Sequence, residues 1–273
     1  MIVFLTSSPC VYQAPRAIIN PENCFLVNLL SCLPENPRCL FIASDPDDAD
    51  FTDRVAEEMA GAFRLAGLDF CQLTTLDRRS QDEAADLIAD SDFIILSGGH
   101  VPTQNEFFLE IGLRELLEGY EGVVMGISAG TMNCADRVYM QPEEEGESDP
   151  DFVRFSEGLG ITDVNVLPHY QQVKDNLLDG LRLFEDVTYA DSMGEVFFAL
   201  VDGSYLLVEE DGTTTLFGEA YCIQDGEIEQ ISELGDVVLV ESNEEDWDDG
   251  EEWNEEENWD EEDDSGEDEE WDS

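Results

Sequence analysis

Only a few residue types in this chain could carry out covalent chemistry, and one serine stands out by its surroundings. The segment Gly126-Ile127-Ser128-Ala129-Gly130 follows the apolar run Val123–Met125 and precedes Thr131-Met132-Asn133-Cys134-Ala135-Asp136, which can open a helix. A G-x-S-x-G at a strand-to-helix junction has the form of a nucleophile elbow. The glycines let neighbouring backbone pass closely, the hydroxyl is exposed at the carboxyl edge of a sheet, and the next N–H, that of Ala129, points toward a developing oxyanion. The bare pattern is common by chance, and strand before with helix after is what gives it weight. The plain alternative is a serine in a structural turn.

A second donor is expected from Phe93-Ile94-Ile95-Leu96-Ser97-Gly98-Gly99-His100, an apolar strand running into a double glycine. Bare N–H groups there suit an oxyanion hole, with Gly99 as donor and Gly98 beside the substrate. A serine hydroxyl also needs a base, and the chain has two histidines. His169, in Val166-Leu167-Pro168-His169-Tyr170, leaves a fixed extended junction because the preceding residue is proline. It is the expected base. His100, the rival, is expected to line the substrate pocket. The orienting acid is expected to be Asp202, at the end of Phe198-Ala199-Leu200-Val201-Asp202-Gly203, where a carboxylate could hold the imidazole and stabilise its cation. An ordinary Asp-Gly turn is the bland reading, and Glu195, Asp191 and Asp163 are alternatives.

These residues need a frame. Short apolar runs at Ile2–Leu5, Cys39–Ala43, Leu68–Leu73, Phe93–Leu96 and Val123–Met125 read as buried strands. They alternate with helical patterns over Phe51 to Leu65, Gln81 to Ile88 and Glu106 to Leu117. Such alternation predicts an α/β fold, a doubly wound and mostly parallel sheet whose ligands bind at the carboxyl ends of its strands. Beyond Tyr189 the runs Val196–Leu200, Tyr205–Val208, Thr213–Phe217 and Ala220–Ile223 are divided by Asp202-Gly203, Asp211-Gly212 and Asp225-Gly226. These tight-turn signals predict an antiparallel C-terminal meander completing one side of the sheet.

The chain has 273 residues and a formal net charge of −56. Residues 244–273 hold twenty acids and no Lys or Arg, which leaves 47 acids against 11 bases elsewhere, about −36 in the body alone. This charge argues against nucleic acid and against anionic membrane surfaces. The reading is a single domain over residues 1–243 and a disordered acidic tail over 244–273, which holds all four tryptophans. The tail could simply solvate the protein, or engage a basic protein partner through Trp and charge. A homodimer also stays open. Seven cysteines, with no C-x-x-C pair, point to reduced packed thiols. No feature demands a metal or organic cofactor. The run at Ile2–Leu5 lacks a basic leader and reads as a strand, so a cytoplasmic protein is expected.

The elbow Gly126-Ile127-Ser128-Ala129-Gly130, with Ser97-Gly98-Gly99 upstream and Leu167-Pro168-His169-Tyr170 downstream, resembles the peptidase E family, which includes aspartyl dipeptidase and cyanophycinase. The resemblance implies a serine-hydrolase variant of the class I glutamine amidotransferase-like fold. It carries over Ser128 as nucleophile, His169 as base and Asp202 as third member, where the family usually has glutamate. It also implies cleavage of small peptides after an N-terminal acidic residue. That acid would need a local cation, and Arg137 and Arg154, between nucleophile and base, are the candidates. Glutamine amidotransferases use a cysteine, whereas this chain has Ser128 there and Cys134 further along the helix. Two other readings stay open: an esterase or amidase on the same scaffold, and an inactive or differently specific binding or regulatory protein that uses its tail.

Overall fold

The computed structural model describes residues 1–13 and 16–240. The expectations for residues 244–273, and for the last residues of the 1–243 domain, lie outside them. The main sheet has eight strands, in the order Val237–Val240, Thr214–Phe217, Tyr205–Val208, Ile2–Thr6, Val123–Ile127, Phe93–Leu96, Arg38–Ile42 and Gln72–Leu76. The last five are mutually parallel and the first three are added antiparallel. Successive side chains in a strand face opposite ways. Val3 and Leu5 therefore join one core with Leu40, Ile94 and Val124, while Phe4 joins the other with Phe41, Ile95 and Met125. The helix Val101–Glu110 covers the first face through Phe107 and Phe108. Ala49–Leu65 and Phe25–Cys32 cover the second through Phe63 and Leu29. Burial on both faces explains why these strands read as continuous apolar runs rather than alternating ones.

Three expectations need correction. The strand read at Leu68–Leu73 is Gln72–Leu76; Leu68 is buried, but in the turn that precedes it. The helix read at Glu106–Leu117 begins at Val101 and breaks at Gly112, whose φ of 63° starts a separate turn, Leu113–Leu116. The C-terminal strands are not one meander. Tyr205–Val208 and Thr214–Phe217 extend the main sheet, whereas Val196–Leu200, Ala220–Gln224 and Glu227–Ser232 join Asn165–Leu167 in a separate four-stranded sheet. Asp211-Gly212 and Asp225-Gly226 do close hairpins, but Asp202-Gly203 is where the chain crosses from the second sheet to the first.

The sheet order positions the site. Ile2–Thr6, Val123–Ile127 and Phe93–Leu96 are parallel neighbours, so the residues that follow them gather at one carboxyl edge. In the second sheet Asn165–Leu167 runs parallel to Val196–Leu200, with Leu167 opposite Ala199, so His169 and Asp202 emerge together.

The elbow helix Ala129–Met132 lies hard against the Phe93–Leu96 strand. A Cβ on Gly130 would stand 2.2 Å from the Leu96 carbonyl oxygen, which is backbone and cannot swing aside. Gly130→Ala is expected to lose about 1–3 kcal/mol of stability, the usual cost of overpacking. Gly61→Ala, in a helix with nothing within 4 Å, is expected to gain about 0.5–1 kcal/mol. Urea unfolding midpoints of the two variants check both signs.

Candidate active site

Ser128 has φ 52° and ψ −112°, outside the usual regions for a residue with a side chain, as a nucleophile elbow requires. Buried groups hold it there. Its N–H reaches the carbonyls of Thr6 and Ser7 at 3.1 and 3.2 Å. The Thr131 hydroxyl donates to the Thr6 carbonyl at 2.8 Å, and the Thr6 hydroxyl to the Gly126 carbonyl at 2.6 Å. A Cβ on Gly126 would lie 2.6 Å from Thr131 Cα, so both glycines of the elbow are required by close backbone approach.

The second sheet brings up the partners. His169 Nε2 is 3.0 Å from Ser128 Oγ, and its Nδ1 is 2.6 Å from Asp202 Oδ1. Asp202 thus reaches the imidazole despite having the shorter acid side chain. The rival acids are engaged elsewhere or exposed: Glu195 pairs with Arg137, Asp191 with Arg154 and the Tyr139 hydroxyl, and Asp163 faces solvent. His169 itself has φ 57°, in the left-handed region.

Three residues not anticipated from sequence complete this arrangement. The fully buried Ser7 hydroxyl donates to Asp202 Oδ1 at 2.8 Å and accepts from the His169 N–H at 2.7 Å. Gln172 donates to Asp202 Oδ2, and Gln171 Oε1 accepts from the Asp202 N–H. Burial opposes ionisation of Asp202, but the hydrogen bond and charge of His169, with the Ser7 hydroxyl, outweigh it and hold the carboxyl below its usual range. Gln171 and Gln172 directly follow Pro168-His169-Tyr170, so their proximity is readable once His169 is chosen. Ser7 becomes visible only when the sheet order is known.

The glycine loop also arrives. A Cβ on Gly98 would lie 3.3 Å from Ser128 Cβ, and one on Gly99 would meet Ser44 Oγ at 2.4 Å. Among the described residues, the N–H groups of Gly98, Gly99 and Ala129 have no protein acceptor. The loop is braced by the buried Gln104, which donates to the Ser97 carbonyl at 2.8 Å and accepts from Asn133 at 3.1 Å. His100 is not beside Ser128. Its ring nitrogens contact Thr103 and Glu147, each at 2.8 Å. His100, Glu144 and Glu147 could together offer ligand atoms to a metal, all within 4.8 Å of one another, but the His100 ring is already satisfied by hydrogen bonds.

A cavity of about 270 Å³ opens beside Ser128 and His169. Met132, Val173, Leu177, Leu178 and Leu183 form its apolar wall, and Gln141, Glu143 and Asn176 are polar groups on its lining. Arg137 and Arg154, expected to bind substrate, do not line it. Arg137 pairs with Glu195 and stacks on Phe155; Arg154 holds Asp191 and the carbonyls of Glu147 and Ser148. Glu143 keeps exposed surface at the mouth, yet the protein crowding its carboxyl pushes it up to about 7, opposed by the charges of His100 and His169 and assisted by Glu147 and Glu144. Water at the mouth screens part of this effect. A larger cavity, about 690 Å³, is lined by Arg38, Asp92 and Gly122 at the amino ends of the parallel strands. That is the opposite edge from the one where such sheets bind ligands.

Residues 22–216 match the model of peptidase family S51, a span that takes in Ser128, His169 and Asp202. The chain belongs to peptidase family S51. It is therefore a serine-type peptidase. No curated protein matches it by sequence. Among solved structures it is similar to one of a "putative peptidase E protein" from Listeria monocytogenes EGD-e. The two share 18% identity over 84% of this chain and 96% of that one, with a TM-score of 0.51. That likeness is one of fold.

Two outcomes are expected of this S51 peptidase. Ser7→Ala should lower kcat on the order of ten- to a hundredfold while KM holds, because a small displacement of the base costs rate rather than binding; steady-state kinetics separate the two. Cys134 is buried, donates to the Gly130 carbonyl, and has its thiol pushed up by burial. Iodoacetamide should therefore modify the exposed Cys24 and Cys71 but leave Cys134 and the activity intact, as mass spectrometry and a parallel assay will show.

Proposed function

We propose that the chain is a serine exopeptidase that hydrolyses short peptides, with Ser128 as nucleophile, His169 as general base and Asp202 as the orienting acid. The observation that carries this reading is the unbroken hydrogen-bonded chain from Ser128 Oγ through both nitrogens of His169 to Asp202. In it, Ser128 Oγ attacks the scissile carbonyl carbon while its proton passes to His169 Nε2. The oxyanion is held by the N–H groups of Ala129 and Gly99. Collapse breaks the C–N bond, and His169 returns the proton to the leaving amine. A water then attacks the acyl-enzyme ester, again deprotonated by His169, and releases the carboxylate and the free serine. Asp202 stays ionised throughout, keeping Nδ1 protonated and stabilising the imidazolium.

The cavity supports a short substrate. At about 270 Å³ it falls just below the roughly 300–1,000 Å³ of ordinary small-molecule clefts, room for one or two residues rather than a folded protein.

The test is peptide hydrolysis alongside labelling by a fluorophosphonate. Ser128→Ala and His169→Ala are expected to reduce kcat/KM on the order of 10⁴-fold or more, and Asp202→Asn by about 10⁴ through loss of the correct tautomer. Full labelling and turnover in the Ser128→Ala variant would overturn the assignment.

A further inference from the structure

An acidic substrate side chain needs a cation in the pocket that receives it, and the cavity beside Ser128 offers none. Among the described residues, no arginine or lysine lines it. Arg137 and Arg154 are bound by Glu195 and Asp191. Lys174, next to Val173, is exposed and does not line the cavity. What the cavity offers is apolar surface that runs from the buried Leu183, through Leu178, to Leu177, which is 70% exposed. Glu143 also lines this cavity. Its N–H donates to Glu147 Oε2 at 2.8 Å, but among the described residues its carboxylate has neither a hydrogen-bond donor nor an ion-pair partner.

We propose, building on the serine-exopeptidase reading above, that this cavity receives an N-terminal residue with an apolar side chain, and that Glu143 binds its ammonium group and repels an acidic side chain. Every peptide carries that ammonium, and in the N-terminal residue it is attached to the Cα beside the carbonyl that Ser128 attacks. One small cavity can therefore hold the scissile carbonyl, the side chain and the charge together. An unpaired carboxyl group lining the cavity gains from an incoming cation, which favours its ionised form, and the acidic body of the chain adds to the attraction. An aspartate side chain would instead bring a second carboxylate toward Glu143 with no counter-charge. The specificity inferred here thus departs from the acidic preference that the family resemblance implies.

The experiment compares Leu-Ala, Asp-Ala and N-acetyl-Leu-Ala as substrates of the full-length protein. Leu-Ala is expected to exceed each of the others in kcat/KM by about tenfold or more, the scale of one well-placed charge contact. Glu143→Gln should shrink both ratios several-fold, mainly through KM. Leu178→Arg, which adds a cation to the wall, should move the preference toward Asp-Ala. Equal or better hydrolysis of Asp-Ala by the unmodified protein, or ratios unchanged in Glu143→Gln, overturns the proposal. The same dipeptides are also run as competitors of fluorophosphonate labelling at Ser128. Labelling that Leu-Ala does not block better than Asp-Ala removes the specificity proposal and leaves the serine hydrolase standing. Absence of both labelling and turnover in folded protein removes the two together.

Discussion

At the candidate active site a single carboxylate oxygen links the eight-stranded sheet to the four-stranded one. Asp202 Oδ1 accepts from His169 Nδ1, which belongs to the second sheet's edge, and from the Ser7 hydroxyl, which ends the central strand of the first. Ser7 in turn accepts from the His169 backbone, so Asp202, His169 and the main sheet form one closed triangle of hydrogen bonds. A buried carboxylate without such partners would be costly to ionise. Here the partners are built into the chain path: Asp202 lies where the backbone leaves the Val196–Leu200 strand and turns into Tyr205–Val208, the neighbour of Ile2–Thr6. Gly203, at φ 91° with Asn20 Nδ2 2.2 Å from where its Cβ would be, lets that crossing run close enough to the first strand's end for its N–H to reach the Ser8 carbonyl at 3.0 Å.

Local strain follows the same geography. Seven non-glycine residues have positive φ among the described residues, and two of them are Ser128 and His169. Asp179 and Asp225 are each followed by glycine in a hairpin turn, where an aspartate tolerates that conformation. Serine has no such intrinsic preference. Its conformation persists because the Thr6 and Ser7 carbonyls, the Thr131 hydroxyl and the tight Gly126 and Gly130 contacts leave the backbone no other path. Packing energy in the core thus holds the hydroxyl at the sheet edge, within reach of His169.

The parts of this design that were legible in sequence are those set by local rules. Phe93–Leu96 is legible to the residue because a run of buried apolar residues ends where polar residues begin, at Asp92 and Ser97. The elbow was legible because its pattern is contained in five consecutive residues; Gly126 answers to Thr131, five positions on, although Gly130 answers to Leu96 on the neighbouring strand. The division of the C-terminal strands between two sheets was not legible, because an Asp-Gly pair signals a turn but not whether the strands it joins become partners. Asp202-Gly203 carries both a turn and a site reading for that reason, and Ser7 gives no signal in the sequence because its contacts lie 162 and 195 residues away in the chain. Arg137 and Arg154 lie between Ser128 and His169 in sequence, but their partners, Glu195 and Asp191, come from a segment whose approach only the fold reveals.

Composition explains why those arginines were captured. With 47 acids against 11 bases in the body of the chain, a cation meets several carboxylates for every vacancy it could fill. Arg38, Arg64, Arg78, Arg79, Arg114, Arg137, Arg154 and Arg182 all form ion pairs. Most of these pairs are exposed and individually worth little, but together they leave few positive side chains for binding. Carboxylates, by contrast, are in excess, and Glu143 is one without a partner among the described residues. A pocket in such a protein obtains selectivity most readily from apolar surface, which favours an apolar side chain, and from surplus negative charge, which favours the cation that a peptide itself brings. The same imbalance that makes the surface acidic thereby supports the specificity proposed for the site beside Ser128.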